Sequence, residues 1–449
     1  MSDSLRGNSL ENGIRKIRFA KRSINLLSML TLRKGWFTLA NQGVVSATNF
    51  LTGVLIGRFC TKEEFGLYML GYSIVFFVMD IQTSLISTPY MVYSPRLKGD
   101  SLRLYNGSSL IHQLALSAIV MLSLVSSGVV LSFGFGPSGL IPVVWALVIT
   151  ISFITFREFV RRFCFAGLRM GIALLFDFCV AVIQICGLFL LAKFGFLSAT
   201  CAYWVVGIAC GVVGGGWFLL NRASFKIQIH QSISDLIHNW TFGKWVFASG
   251  ILWAISMNLY PWFLTLFHGT ASAGVWGVCL GVLSLLNVPL TGVQNFLGPK
   301  IANVYTVDGV EALRRFVFKA CLVLGLVMGF LSFGLFFIAG PLLVLIYGDK
   351  YSGYGLVVSI LAFGMVAASI AFAFSRALFA MERSDVDFKV NFIPLFILLT
   401  CGVWLVRSFG PIGAAFGLLL ANMAATAVRF ASFAYISRSF SSKKILSRT

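Results

Sequence analysis

Arg162-Phe163-Cys164-Phe165-Ala166-Gly167-Leu168-Arg169 returns 214 positions later as Arg376-Ala377-Leu378-Phe379-Ala380-Met381-Glu382-Arg383. The shared frame is Arg-x-x-Phe-Ala-x-x-Arg, and in both places it closes a long apolar segment. Phe194-Gly195 and Phe409-Gly410 repeat at an offset of 215, and Trp36, Asn49 and Thr61 match Trp245, Asn258 and Thr270 at 209. One such match is weak in a chain holding 44 Phe and 44 Gly, but three agreeing offsets in the same order mark a duplication. The chain therefore reads as two related halves.

Each half holds six apolar segments of membrane-crossing length, since about 20 apolar residues are needed per helix. The twelve spans run 36–58, 65–90, 109–133, 140–160, 170–192, 198–220, 243–267, 271–297, 315–339, 354–378, 388–407 and 411–436. With the N-terminus in the cytoplasm, the loops assigned outside hold only Arg58, Lys62, Lys193, Lys350 and Arg407 of the 35 Lys and Arg residues. Retention of basic residues in the cytoplasm orients helical membrane proteins, so both termini are placed inside. Halves that both start inside are parallel repeats about an axis along the membrane normal, and such repeats enclose a central cavity. The expected fold is an all-α polytopic membrane protein. Its divisions are a basic amphipathic segment (1–35), a first six-helix half (36–220), a cytoplasmic linker (221–242), a second half (243–437) and a basic tail (438–449).

Composition agrees. Hydrophobic residues make up 58% of 449 and charged residues 11%, and the mean hydropathy is +0.90, well outside the soluble range. The net charge of +20 sits in loops between spans, where it suits anionic lipid heads rather than nucleic acid. Nine cysteines and four histidines show no C-x-x-C pair or metal-ligand spacing, so neither zinc nor disulfides are expected. No cleavable signal peptide is expected either. In the N-terminal segment Ile14, Ile17, Ile24 and Leu27 share a helical face among Arg15, Lys16, Arg18, Lys21 and Arg22, as in a helix lying in the membrane interface. G-x-x-x-x-G-K-[ST], G-x-S-x-G and H-E-x-x-H are missing from the sequence, and Asp385-Val386-Asp387 only imitates a nucleotide-sugar metal motif. An enzyme is not expected.

Polar residues inside spans mark faces turned to protein or water. Span eight carries Ser284, Asn287, Thr291, Gln294 and Asn295 on one face. Span one carries Gln42, Ser46 and Asn49, with Asn41, Thr48 and Thr52 beside them, and span seven adds Asn258. These, with Arg58 at the outer end of span one, are the candidate substrate cavity; hydrogen bonding between helices is the structural alternative. Asp80, near the middle of span two, and Asp177, in span five, are candidate ion-coupling carboxylates, with a structural ion pair as the alternative for each. Arg157, Arg161, Arg162 and Arg376 are candidate cytoplasmic anion contacts. Glu158 is spaced to pair with Arg161 or Arg162. No cofactor is expected beyond a proton or sodium gradient.

Phe59-Cys60-Thr61-Lys62-Glu63-Glu64-Phe65-Gly66-Leu67-Tyr68 after span one, Ile346-Tyr347-Gly348-Asp349-Lys350-Tyr351 after span nine, and the six-plus-six plan carry a resemblance. The chain resembles Wzx-like polysaccharide flippases of the multidrug/oligosaccharidyl-lipid/polysaccharide exporter superfamily over nearly all residues after about 30. The resemblance implies transfer of a polyprenyl-pyrophosphate-linked sugar from the cytoplasmic to the outer leaflet of a bacterial inner membrane. The sugar would cross in the cavity, with the lipid tail left in the bilayer. It also implies service to a polysaccharide polymerase and glycosyltransferases, and a monomer is expected. Flippases of this kind use a cationic cavity, whereas here few basic residues lie deep in the spans, with Arg58, Lys319 and Arg429 the nearest. Two other readings stay open: an ion-coupled multidrug antiporter of the same superfamily, and a membrane scaffold subunit of a polysaccharide synthase.

Overall fold

The computed structural model describes residues 35–137 and 139–446. The basic segment before residue 35 and the last three residues lie outside the described part. Among the described residues the chain is helix and short turns, with no strand. Helices occupy 35–59, Lys62–Gln82, Gly99–Ser132, Leu140–Ala166, Met170–Lys193, Ala199–Asn221, Ile229–His268, Thr270–Tyr347, Gly355–Ala380 and, in pieces, Ser384–Val390, Phe392–Ile397 and Val403–Leu446. Among the described residues, ten helical runs are long and apolar enough to cross a membrane. The chain is a multi-pass membrane protein.

Two of those runs hold a break. Gly309 has φ 78° and ψ −172° inside Thr270–Tyr347, and Gly410 has φ 56° and ψ −132° inside Val403–Leu446. Only a residue without a Cβ adopts these angles cheaply, so each glycine turns the chain within a single residue. The expected spans leave 298–314 as a connection between spans eight and nine. The helix instead continues on both sides to Gly309, because nothing near Asp308 other than that glycine interrupts the ladder. Likewise the polar connection 221–242 becomes helix from Ile229 onward, continuous with the apolar segment ending at His268.

The two Arg-x-x-Phe-Ala-x-x-Arg copies build one turn twice. Leu168 N–H donates to Phe165 O (3.0 Å) and Arg169 N–H to Cys164 O (2.8 Å). Glu382 N–H donates to Phe379 O (3.0 Å) and Arg383 N–H to Leu378 O (2.9 Å). This pair of bonds satisfies the last carbonyls of each helix in a Schellman turn, which normally uses glycine at the left-handed position. Here Leu168 (φ 54°) and Glu382 (φ 59°) occupy it, at a cost of about 1–2 kcal/mol each. The helices that end in these turns are also the most enclosed of the membrane-length runs, with 56% and 61% of their apolar windows buried, against 50% or less for the others.

Candidate functional site

The polar residues of the spans divide into two sets. One is buried, and several of its members are bonded between helices. Gln82 Nε2 donates to Gln113 Oε1 and to the Thr155 carbonyl, both at 2.8 Å. Gln184 Nε2 donates to Thr52 Oγ1 at 2.8 Å, and Trp262 Nε1 to Ser73 Oγ at 2.8 Å. Asn41, Thr48, Thr52 and Gln82 are all buried to within a few per cent. Tying polar groups to neighbouring helices is the use expected of them in an apolar setting.

The second set stays open. Gln42, Asn49 and Asn287 are exposed, and Ser46, Asn258, Ser284, Thr291 and Gln294 are half-buried. Their bonds stay within their own helices. Gln42 Nε2 reaches Ser46 Oγ at 3.5 Å, Asn258 Nδ2 reaches Ala254 O at 2.8 Å, Ser284 Oγ reaches Gly281 O at 2.6 Å and Thr291 Oγ1 reaches Asn287 O at 2.8 Å. The Asn295 side chain lies outside the described residues. A polar face that no neighbouring helix satisfies is one left for water or a polar ligand.

The two candidate carboxylates differ sharply. Asp177 is fully buried and takes two bonds from one guanidinium, Arg157 Nε at 3.0 Å and a terminal nitrogen at 2.9 Å. Asp80 is half-buried and has no basic partner among the described ion pairs; its Oδ2 is enclosed without a hydrogen bond. It lies just before a wide turn of π-helix, Thr83–Ser87, a distortion that often accompanies function. The arginines expected to contact anions also divide. Glu158 accepts from Arg161 (2.7 Å) and Arg162 (2.6 Å). Arg376 is exposed, lies over the Phe372 ring at 5.0 Å, and has no carboxylate among the described ion pairs. Lys319 is exposed, and Arg429 pairs with Asp387 at 2.7 Å.

Arg58, expected in the cavity as an anion contact, bonds to the backbone of another helix. Its guanidinium donates to the carbonyl of Leu345 at 2.9 Å and reaches that of Ile346 at 3.4 Å. Lys350, in the turn Asp349–Tyr351, donates in return to the carbonyls of Arg58 and Cys60. Nothing in the sequence pairs these positions, because the acceptors are backbone groups that every residue carries. The same holds for Gly66 and Gly274. A Cβ on Gly66 would collide with the Thr270 carbonyl, and one on Gly274 with the Lys62 carbonyl.

A family described as "Polysaccharide biosynthesis protein" matches residues 108–356, more than half of the chain. The chain belongs to this polysaccharide biosynthesis family. The chain is 24% identical to the lipopolysaccharide biosynthesis protein WzxC of Escherichia coli K12 over 216 residues, 48% of the chain and 43% of WzxC. It is 20% identical over 214 residues to the capsular polysaccharide biosynthesis protein CapF of Staphylococcus aureus, covering 46% of the chain and 53% of CapF. The chain thus spans about half the length of the curated relatives it matches. Among solved structures, an inward-facing multidrug resistance MATE family transporter of the MOP superfamily matches with a TM-score of 0.75 at 14% identity, covering 88% of this chain and 95% of that one. An outward-facing one matches with a TM-score of 0.61 at 14% identity, covering 92% and 96%. The lipid II flippase MurJ in an inward closed conformation matches with a TM-score of 0.65 at 17% identity, covering 88% and 87%. This family member has the fold of the MOP superfamily, and its resemblance to the Wzx-like branch stands.

Proposed function

We propose that the protein is a flippase that carries a polyprenyl-pyrophosphate-linked oligosaccharide from the cytoplasmic to the outer leaflet for polysaccharide export. Twelve helices in two parallel six-helix halves would rock about a central cavity, with both termini in the cytoplasm of a bacterial inner membrane. The chain would act as a transporter without chemistry of its own. One observation carries this reading: the open stripes on 35–59 and on the helix starting at Thr270 are polar and bond only within their own helices. Hydroxyls and amides so placed suit a sugar, which exchanges its water for hydrogen bonds of similar strength. The duplicated turns and the matched burial of the helices that bear them support the two-halves plan. Of the two carboxylates, Asp80 is the coupling residue in this reading, because Asp177 is already neutralised by Arg157.

The test is reconstitution into liposomes with the lipid-linked oligosaccharide in both leaflets, followed by glycosidase added outside. Protein-dependent loss of the half-protection left by a sealed bilayer is expected, slowed about tenfold or more in Asp80→Asn. Persistent half-protection under imposed proton and sodium gradients, together with uptake of a small cationic dye, would replace this reading with a multidrug antiporter.

A further inference from the structure

Three of the five basic residues that the topology assigns to the outside, Arg58, Lys62 and Lys350, converge on one place. The helix 35–59 and the helix ending at Tyr347 finish side by side there, each with carbonyls that have no partner in their own ladder. Arg58, at the end of the first, places its guanidinium on Leu345 O and Ile346 O of the second. Lys350, just past the second, places its ammonium on Arg58 O and Cys60 O of the first. Each helix therefore supplies the cation that caps the other, at the end where the helix dipole favours positive charge. Lys62 completes the group, with its ammonium 5.9 Å and 5.4 Å from the Tyr351 and Tyr354 ring centres.

The packing beneath is reciprocal as well. Gly66 lies against the Thr270 carbonyl and Gly274 against the Lys62 carbonyl, so the two helices cross where neither has a side chain. The Tyr347 ring fills the space that a Cβ on Gly57 or on Gly281 would need. Tyr347 and Tyr351 are both buried.

We propose that Arg58 and Lys350 form a two-way clasp that shuts the outer side, and that breaking it is the step that sets release of cargo to the outside. The inference rests on the transport reading above for its purpose, but the clasp itself is a matter of exposure and can be measured without cargo. A natural reporter lies inside it. Cys60 is buried, its thiol bonded to the Leu197 carbonyl at 3.4 Å. Burial, with Glu64 beside it, raises the thiol from 9.0 to about 11, and Lys350 offsets only part of that rise. Both access and thiolate are therefore scarce while the clasp is shut.

The experiment keeps Cys60 and the deeply buried Cys210, replaces the other seven cysteines, and follows labelling by a membrane-impermeant maleimide in right-side-out vesicles. Slow labelling of Cys60 is expected in the parent and in Lys350→Arg, which retains a cation. Lys350→Gln and Arg58→Gln should each raise the Cys60 rate about tenfold while Cys210 stays unlabelled. Equal Cys60 rates in the parent and both glutamine variants would overturn the clasp. So would labelling of Cys210 alongside Cys60 in both variants, which would show that the groups hold the fold rather than a gate. A raised Cys60 rate in a protein that fails the glycosidase assay would keep the clasp and remove the flipping reading.

Discussion

The two Schellman turns, at Leu168 and at Glu382, share a backbone and differ in their ions. In the first, Arg157 is held by Asp177, and Arg161 and Arg162 by Glu158, while the exposed Arg169 has no carboxylate among the described ion pairs. In the second, Arg376 has only the Phe372 ring, and Arg383 holds the exposed Asp385 at 2.9 Å. The duplicated part is the part that backbone geometry and packing demand. Charge is free to drift once the helix end is satisfied, so the arginine that opens the motif is tied into an ionic knot in the first copy and left open, at Arg376, in the second.

The knot is the place to strike hardest. Arg157→Ala leaves the fully buried Asp177 without its guanidinium, and removing one partner of a buried pair typically costs about 3–5 kcal/mol. Thermal unfolding in detergent should show that loss, whereas Arg376→Ala should leave the transition almost where it was. Equal destabilisation would erase the distinction between the copies. A smaller effect separates their functions. Arg376→Gln should slow flipping about tenfold, the worth of one charge-assisted contact to a phosphate of roughly 1.4 kcal/mol, with stability unchanged. Arg162→Gln should do the reverse, costing about 1 kcal/mol of stability at a partly exposed pair with little change in rate. The smallest effect tests what the copies share. Leu168→Gly and Glu382→Gly each relieve a left-handed residue and should each stabilise by about 1 kcal/mol, less the unfolded-state entropy of glycine. Opposite signs at the two sites would mean that the turns only look alike.

The apolar runs, their many crossings and the turn shared by the two motif copies were legible in the sequence because each rests on a local rule. Helix ends need capping, and membrane spans need about 20 apolar residues. The polar stripes were legible only as a set. Spacing puts Asn41 and Gln42 on one helix, but it cannot say that Asn41 is enclosed by protein while Gln42 is open. Arg157 and Asp177 lie 20 positions apart on different helices, a separation with no periodic meaning, so their pairing was one alternative among several. Arg58 was harder still. Its partners are carbonyls nearly 290 positions away, and only its exception to the inside rule hinted that it had special employment.

The Arg157–Asp177 pair also bears on how the protein gets into the membrane. During synthesis Arg157 leaves the ribosome ahead of the carboxylate that neutralises it. On insertion scales a lone arginine or aspartate at mid-membrane costs about 2.5–3.5 kcal/mol. The helices Leu140–Ala166 and Met170–Lys193 are joined by residues 167–169 alone. Entry of the two as one hairpin, with the charges already cancelled, would lower the cost of burying either alone, so the turn at Leu168 is expected to close a unit of biogenesis before it serves the finished fold.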